Sequence, residues 1–368
     1  MPAAWLDVAI VGGGPAGTAT AMVLLRERPD LRVAIFEGSR TEWASRPLEI
    51  LAPGGRTLLE HCGAWEALGA FMTPVFGSSA AWGAPEVYEN DFIFSARGPA
   101  HYVERGAFDT ALQAVARQRG AAVFNKSTLV SVERTEDDGW ALHTAPTDDR
   151  GPAATWLARI IVDATGPRAA VASRCGARSL VYDMLVGIGT RCTGGRILAQ
   201  APTFVEADEL GWWYSAQNGQ YLTVIFMTDA DLARAHRLRE SARWLRNLAS
   251  TRQTSKRATD AGSELTITVR SARTRRLERA VGMGWIAVGD AAASFDPLSS
   301  SGILNALRSG TLGAFAVLDS LQGRPSGIDI YQRCLDTEFT AYLAARRELY
   351  AAEQRWPLSP FWSRRSGS

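Results

Sequence analysis

Val8-Ala9-Ile10-Val11-Gly12-Gly13-Gly14-Pro15-Ala16-Gly17, close to the start of a chain of 368 residues, is the stretch whose reading decides the fold. An apolar run that ends in G-x-G-x-x-G reads as a parallel strand, a glycine turn and a helix start, the opening of a dinucleotide-binding βαβ unit. Gly12 permits the tight turn, Gly14 lets backbone approach a pyrophosphate, and Gly17 lets helix and strand pack closely. Pro15 and Ala16 carry the loop into a helix whose first N–H groups face an anion. Leu31 to Glu37 then reads as the second parallel strand. Glu37 stands where a carboxylate accepts hydrogen bonds from an adenosine ribose, which favours FAD or NAD over a 2′-phosphorylated cofactor.

The partner motif lies far downstream. Gly284-Trp285-Ile286-Ala287-Val288-Gly289-Asp290-Ala291-Ala292 is a short strand ending in Gly-Asp, followed by Asp296-Pro297-Leu298-Ser299-Ser300-Ser301-Gly302. It resembles the second FAD motif of the glutathione reductase-like flavoproteins. The resemblance implies that Gly289 and Asp290 bind the ribityl or ribose side. It also implies that the helix entered through Pro297, Gly302 and Ile303 turns its positive end to the flavin pyrimidine edge, stabilising reduced anionic flavin. Asp296-Pro297 is alternatively no more than the turn that leads into that helix. Arg159 to Gly166 resembles the D-A-(T/D)-G signature and adds Asp163. Val103 to Leu112 resembles (D/E)-R-x-x-F-(D/N)-x-x-L, whose arginine, here Arg105, helps hold the FAD phosphates. The turn-rich crossing Arg46 to Gly55 corresponds to a segment that passes beside the isoalloxazine ring in flavoprotein monooxygenases, which brings Arg46 and Glu49 to the site. No histidine or cysteine stands where covalent attachment would need one, so the expected FAD is non-covalent.

Composition sets the outer limits. Hydrophobic content of 46% with 21% charged residues is that of a globular protein with a large core. A net charge of +2 gives no electrostatic case for nucleic acid or an anionic membrane. The only lysines are Lys126 and Lys256, a bias we attribute to a GC-rich genome rather than to phosphate recognition. The first strand begins within a few residues of Met1 and no apolar run is long enough to span a bilayer, so the expectation is a cytoplasmic protein with no signal peptide. Cys62, Cys175, Cys192 and Cys334 are widely spaced, as are His61, His101, His143 and His236, so neither a disulfide scaffold nor a metal site is expected.

Along the chain, the pattern predicts an α/β fold with a Rossmann FAD domain visited three times (1–72, 101–174 and 279–327). An antiparallel substrate domain is visited twice (73–100 and 175–278), and a helical tail (328–368) follows. Helices are predicted near 56–68, 105–119, 229–248 and 328–356, a meander over 121–161, and a further strand over 265–270. Gly211 to Ala216 and Tyr221 to Thr228 flank Asn218-Gly219 and read as a hairpin.

Read whole, the chain resembles the tryptophan-halogenase-like branch of FAD monooxygenases, with p-hydroxybenzoate hydroxylase-like architecture. Within it the chain is most similar to the flavoprotein maturases of the tryptophylquinone enzymes lysine ε-oxidase, glycine oxidase and quinohemoprotein amine dehydrogenase. Gly211-Trp212-Trp213-Tyr214-Ser215 and the Tyr350 to Trp362 ending carry this finer resemblance. Two departures narrow it. Neither lysine lies near Glu49-Ile50-Leu51-Ala52-Pro53-Gly54, where halogenases place theirs, and W-x-W-x-I-P is absent. Asp163-Ala164-Thr165-Gly166-Pro167-Arg168 departs from the D-G-x-x-S-x-x-R pattern of aromatic hydroxylases, which leaves the reductant open. The resemblance implies hydroxylation of a tryptophan in a partner quinoprotein subunit or precursor, through a flavin C4a-hydroperoxide. Glu49 is the candidate base for rearomatisation, or else a structural partner of Arg46 or Arg56. The aromatic segments 76–94 and 211–226 either dock that partner or form sheet interior. A small-indole or phenol hydroxylase and a non-catalytic FAD-stabilised escort protein are the competing readings.

Overall fold

The computed structural model describes residues 4–38, 49–69, 72–92, 96–147, 152–193, 203–218, 221–258 and 265–366. The strand Ala4–Val11 is central to the main sheet, pairing in parallel with Val33–Glu37 on one edge and with Ala154–Asp163 on the other. A strand flanked on both edges and covered on both faces needs apolar side chains throughout, which is why Val8 to Val11 show no polar alternation. Ala122–Asn125 and Trp285–Ala287 extend the parallel order outward. Ser127–Arg134 and Trp140–Pro146 add the expected meander, antiparallel to the first half of Ala154–Asp163.

The helix Pro15–Glu27 is buried from Pro15 to Leu25, with proline in its first turn. It crosses the helix Gly302–Leu321 closely, because a Cβ on Gly310 would lie 2.4 Å from the Ala16 carbonyl oxygen. The Thr20 hydroxyl bridges the crossing, donating to the carbonyls of Ala16 at 2.9 Å and Gly310 at 3.0 Å.

The second sheet has seven strands in the spatial order Thr268–Ser271, Leu185–Thr193, Tyr221–Asp229, Gly211–Asn218, Thr203–Asp208, Gly77–Ala81 and Tyr88–Asp91. Only the pairing of Thr203–Asp208 with Gly77–Ala81 is parallel. Asn218 stands opposite Tyr221, as a two-residue hairpin turn requires. Strand alternation sends Trp212 and Trp213 to opposite faces. Trp213 packs with Phe226 and Trp244 under the helix Ser241–Ala249, and Trp212 packs with Trp82, Tyr350 and Trp362 under the C-terminal segment. Trp212, Trp213 and Phe226 are therefore sheet interior rather than a docking surface, because both faces of the sheet are covered there.

Two expected helices are broken. Residues 229–248 form Ala230–Ala235 and Ser241–Ala249, interrupted where Arg237 takes a φ of 55°. Residues 56–68 form Gly55–His61 and Trp65–Leu68, with Gly63 at a φ of 59° between them. The tail is the helix Ser326–Ala351 followed by Pro360–Ser366. Small three-stranded sheets lie where the chain passes between the large ones: Glu49–Leu51 with Ala100–Val103 and Met72–Val75, and Ser179–Val181 with Arg275–Leu277 and Ala293–Ser294. Among the described residues no helix is long and apolar enough to cross a membrane.

Candidate active site

A cavity of about 800 Å³ runs along the carboxyl ends of the main-sheet strands, from Glu37 and Thr128 past Gly12 and Gly14 to Asp290 and Gly302. The glycines of the first motif have three different reasons to be glycine. Gly12 has a φ of 111°, and a Cβ there would lie 2.1 Å from the Ala164 carbonyl oxygen. A Cβ on Gly17 would lie 2.0 Å from the Gly12 carbonyl oxygen. A Cβ on Gly14 would meet nothing within 4 Å, so it would project into open space beside the cavity that Gly14, Pro15 and Ala16 line. The Gly13 peptide is held from both sides: its N–H donates to Glu37 Oε2 at 2.7 Å, and its carbonyl accepts from Gln113 Nε2 at 3.0 Å.

Two helix starts face this cavity, at Gly14-Pro15 and at Ser301-Gly302, and neither has a side-chain cap. Uncapped first-turn N–H groups beside open space are an anion- and dipole-binding arrangement. Gly289, with a φ of 60°, packs against Ala16 and donates its N–H to Ser309 Oγ at 2.6 Å, which seats the Gly-Asp turn against the first helix. Pro297 opens a short turn at Asp296, whose Oδ1 accepts from the Leu298 N–H at 3.0 Å. Ile303 lines the cavity from the following helix.

At the far end, one ionic cluster organises the junction. Arg105 donates through Nη1 to both Glu49 oxygens at 2.9 and 2.8 Å. Through Nε and Nη2 it donates to Asp109 at 3.2 and 3.0 Å. Burial alone would lower the pKa of this guanidinium, but the charges of Glu49 and Asp109 outweigh it and hold Arg105 above its ordinary value. With both edges of its fork turned to carboxylates, Arg105 is placed to orient Glu49, and it also lines the cofactor cavity. Glu49 is thus tied to Arg105, while Arg56 pairs with Glu60. The Asp290 carboxyl faces the same junction. Burial, and then the charge of Glu49, push it up to about 6 against the pull of Arg105 and Arg275.

Asp163 is displaced from its expected part. Fully buried, it accepts from the Thr165 N–H and hydroxyl at 3.0 and 2.7 Å, and from the N–H groups of Val171 and Ala172 at 2.9 and 2.8 Å. It holds in place the loop whose Ala164 to Pro167 line the cavity. Arg46 lies outside the described residues.

A second cavity, of about 410 Å³, shares Glu49, Pro167, Asp290, Gly302 and Ile303 with the first and extends onto the second sheet. Trp212, Ile225, Met227 and Phe295 give it apolar walls, and Gly187 and Gly189 keep one strand thin beside them. Its mouth is ringed by the exposed Pro167, Thr268, Arg270 and Ser271. A network from the tail helix braces the second cavity. Tyr350 donates to Asp296 Oδ2 at 2.8 Å and accepts from Trp212 Nε1 at 3.0 Å. Arg346 donates to Asp296 Oδ2 at 3.3 Å and Asp183 Oδ2 at 2.8 Å, and the Asp296 N–H donates to the Tyr342 hydroxyl at 2.7 Å. Sequence reasoning missed this network. Its signal was the four-residue spacing of Tyr342, Arg346 and Tyr350 on a predicted helix, the same spacing that separates Arg105 from Asp109.

Residues 5–308 match the FAD binding domain family. The chain belongs to that family. Its cofactor is FAD, and the protein is a FAD-dependent oxidoreductase with a monooxygenase fold. The cavity fits FAD: open space at Gly14, two uncapped helix starts, and a carboxylate at each end, Glu37 and Asp290. Over 98% of its length the chain is 28% identical to LodB of Marinomonas mediterranea, described as a FAD-dependent oxidoreductase, and it covers 96% of that protein. Its fold is similar to the myxobacterial chondrochloren halogenase CndH, with a TM-score of 0.87 and 24% identity over 98% of this chain and 86% of that one. It is also similar to QhpG, a peptidyl tryptophan dihydroxylase essential for tryptophylquinone cofactor biogenesis, with a TM-score of 0.75 and 24% identity over 99% of this chain and 79% of that one. The branch expected from the motifs is therefore the right one. Neither Lys126 nor Lys256 lines the two cavities.

Proposed function

We propose that this enzyme is a monooxygenase that hydroxylates a tryptophan side chain of a partner polypeptide, a quinoprotein subunit or its precursor, during formation of a tryptophylquinone. One observation carries the reading: the mouth of the second cavity is formed by an edge strand. Thr268–Ser271 pairs only with Leu185–Thr193 among the described residues, and Thr268, Arg270 and Ser271 are exposed. An unpaired strand edge beside an oxidising site can take an extended peptide by strand addition, so that a side chain enters while its backbone stays outside. The whole-length similarity to LodB and the fold shared with a peptidyl tryptophan dihydroxylase support this reading. The absence of a lysine from both cavities weighs against halogenation.

Bound FAD supplies the oxygen-activating chemistry, and the chain's own residues do the rest. The glycine turn with the first helix start would hold the diphosphate, Glu37 the ribose, Asp290 the ribityl hydroxyls and the Ser301-Gly302 helix start the pyrimidine edge. Trp212, Ile225, Met227 and Phe295 would exclude water and orient a flat indole. Glu49, its direction set by Arg105, is the carboxylate placed to take the ring proton as aromaticity returns. The test incubates the reduced holoenzyme and oxygen with the polypeptide encoded beside it, then maps peptide masses. Oxygen gained at a single tryptophan is the expected result. Efficient oxidation of free indole with the polypeptide unchanged would replace this reading with a small-molecule hydroxylase, and no oxygen uptake with either would favour an escort protein.

A further inference from the structure

The crossing 271–275 carries a cation with no counter-charge into the second cavity. Its backbone is pinned: the Ala272 N–H donates to the Leu185 carbonyl at 2.9 Å, the Thr274 N–H to Asp183 Oδ1 at 3.1 Å, and the Tyr182 N–H to the Thr274 carbonyl at 2.9 Å. Thr274 is fully buried, with its hydroxyl 3.3 Å from that of Tyr342. In extended chain its neighbours face the other way, and Arg273 and Arg275 both line the cavity.

Neither arginine has a carboxylate. Arg275, only 8% exposed, donates to Ser179 Oγ at 3.1 Å and to the Asp290 carbonyl at 2.9 Å. Burial pulls its pKa down against the charges of Asp290 and Asp163. Arg273 is half-buried with its Nε shielded from solvent, and its side chain makes no hydrogen bond, ion pair or ring contact among the described residues. Two of the acids lining the cavity are engaged elsewhere, Glu49 by Arg105 and Asp296 by Tyr350 and Arg346. The third, Asp290, belongs to the junction with the cofactor cavity. A half-buried guanidinium whose Nε is shielded and unpaired, and whose Nη groups carry no partner among the described residues, is placed to gain one from a ligand that brings the missing charge.

We infer that Arg273, with Arg275 behind it, is a carboxylate subsite, and that the aromatic group to be oxidised arrives with a carboxylate one side chain away. The apolar walls take the ring and the arginine end takes the anion, which a planar fork holds bidentately. For the source of the carboxylate the inference rests on the proposed function: in a polypeptide substrate it is an aspartate or glutamate beside the target tryptophan.

The test measures equilibrium binding to the FAD-loaded enzyme, by flavin absorbance, of indole-3-propionate and its neutral isostere indole-3-propionamide, in chloride-free buffer and again with chloride. Wild type should prefer the carboxylate by on the order of tenfold or more. Arg273→Gln should lose the preference at unchanged FAD content, and Arg273→Lys should recover part of it. Equal binding of the two ligands, binding of neither, or a preference that survives in Arg273→Gln would overturn the inference. So would a preference abolished by dilute chloride, which would make the subsite a halide site. A second arm offers a tryptophan peptide with an adjacent aspartate and its asparagine counterpart. Selective oxidation of the aspartate peptide extends the result to polypeptides. If neither peptide is oxidised while the indole-3-propionate preference holds, the protein-substrate reading falls and the carboxylate subsite stands.

Discussion

The two cavities that meet at Glu49, Asp290 and Gly302 are built by different means. The cofactor cavity is organised by backbone: a glycine turn, two helix starts without side-chain caps and a Gly-Asp turn, all drawn together by the close crossing at Ala16 and Gly310. The second cavity is shaped largely by side chains, from strands between residues 185 and 271 and from the segments around Arg273 and Phe295, with tryptophan and arginine in its lining. A backbone site recognises what all dinucleotides share, so its shape tolerates little change. A side-chain site can be respecified one residue at a time without disturbing the fold. That difference teaches where mutations should be global and where they should be local.

The largest effect should come from Gly12→Ala. The substitution strains a φ of 111° and drives a methyl group into the Ala164 carbonyl. We expect a loss of about 3 kcal/mol or more, with loss of FAD, by thermal denaturation and cofactor content. Gly14→Ala is the control, since its Cβ would meet no protein atom. It should leave the apoprotein's stability unchanged and weaken only FAD binding, and a comparable loss of apoprotein stability would break the contrast.

Tyr350→Phe is next, and it tests the bracing of the second cavity by the tail helix. It strands the buried Trp212 Nε1 donor and removes one donor from Asp296. A loss of about 2 kcal/mol in denaturant unfolding is expected. A neutral outcome would mean that the tail helix does not brace that cavity.

Asp290 should make the FAD-free protein sensitive to pH. Its folded-state pKa is raised from 3.8 to about 6, so between these values the folded state binds more protons than the unfolded state. Stability should be fully present below the lower value and decline as pH rises through about 6, by about 3 kcal/mol. Asp290→Asn should abolish the slope while weakening FAD binding. A slope that persists in the variant would assign it elsewhere.

The smallest effect belongs to Gly187→Ala. Its Cβ would sit 3.1 Å from both Ile225 Cγ2 and Met227 Sδ, side chains that can yield. KM should rise a few-fold at unchanged FAD affinity, and a fall in FAD affinity would show that the two cavities are not separable.

Much of the cofactor site was legible in the sequence because backbone conformation leaves local marks. A glycine forced by a positive φ, a strand closed by Gly-Asp and an apolar run between two parallel neighbours are all short-range patterns. The Asn218-Gly219 hairpin was readable for the same reason. Helix interruptions at Gly63 and Arg237 were not, since a single left-handed residue leaves hydrophobic periodicity almost intact. The partners of Asp163 and Arg105 were also missed. Each motif places its side chain near the cofactor, but the side chain turns to whichever partners the fold brings closest: amides of residues 165–172 for Asp163, and Glu49 and Asp109 for Arg105.

By itself the sequence determined the dinucleotide fold, the FAD class and the branch of the family, because each is written in glycine positions and strand patterns a few residues long. Only the tertiary structure decided that Trp212 and Trp213 are sheet interior, that Tyr350 ties the floor of the second cavity to its Asp296 loop, and that Arg273 stands without a counter-charge. Those facts depend on which faces are covered and which charges meet across 50 or more residues of chain, such as the 54 between Asp296 and Tyr350. Burial and pairing at that separation are properties of the packed molecule, with no local pattern to record them.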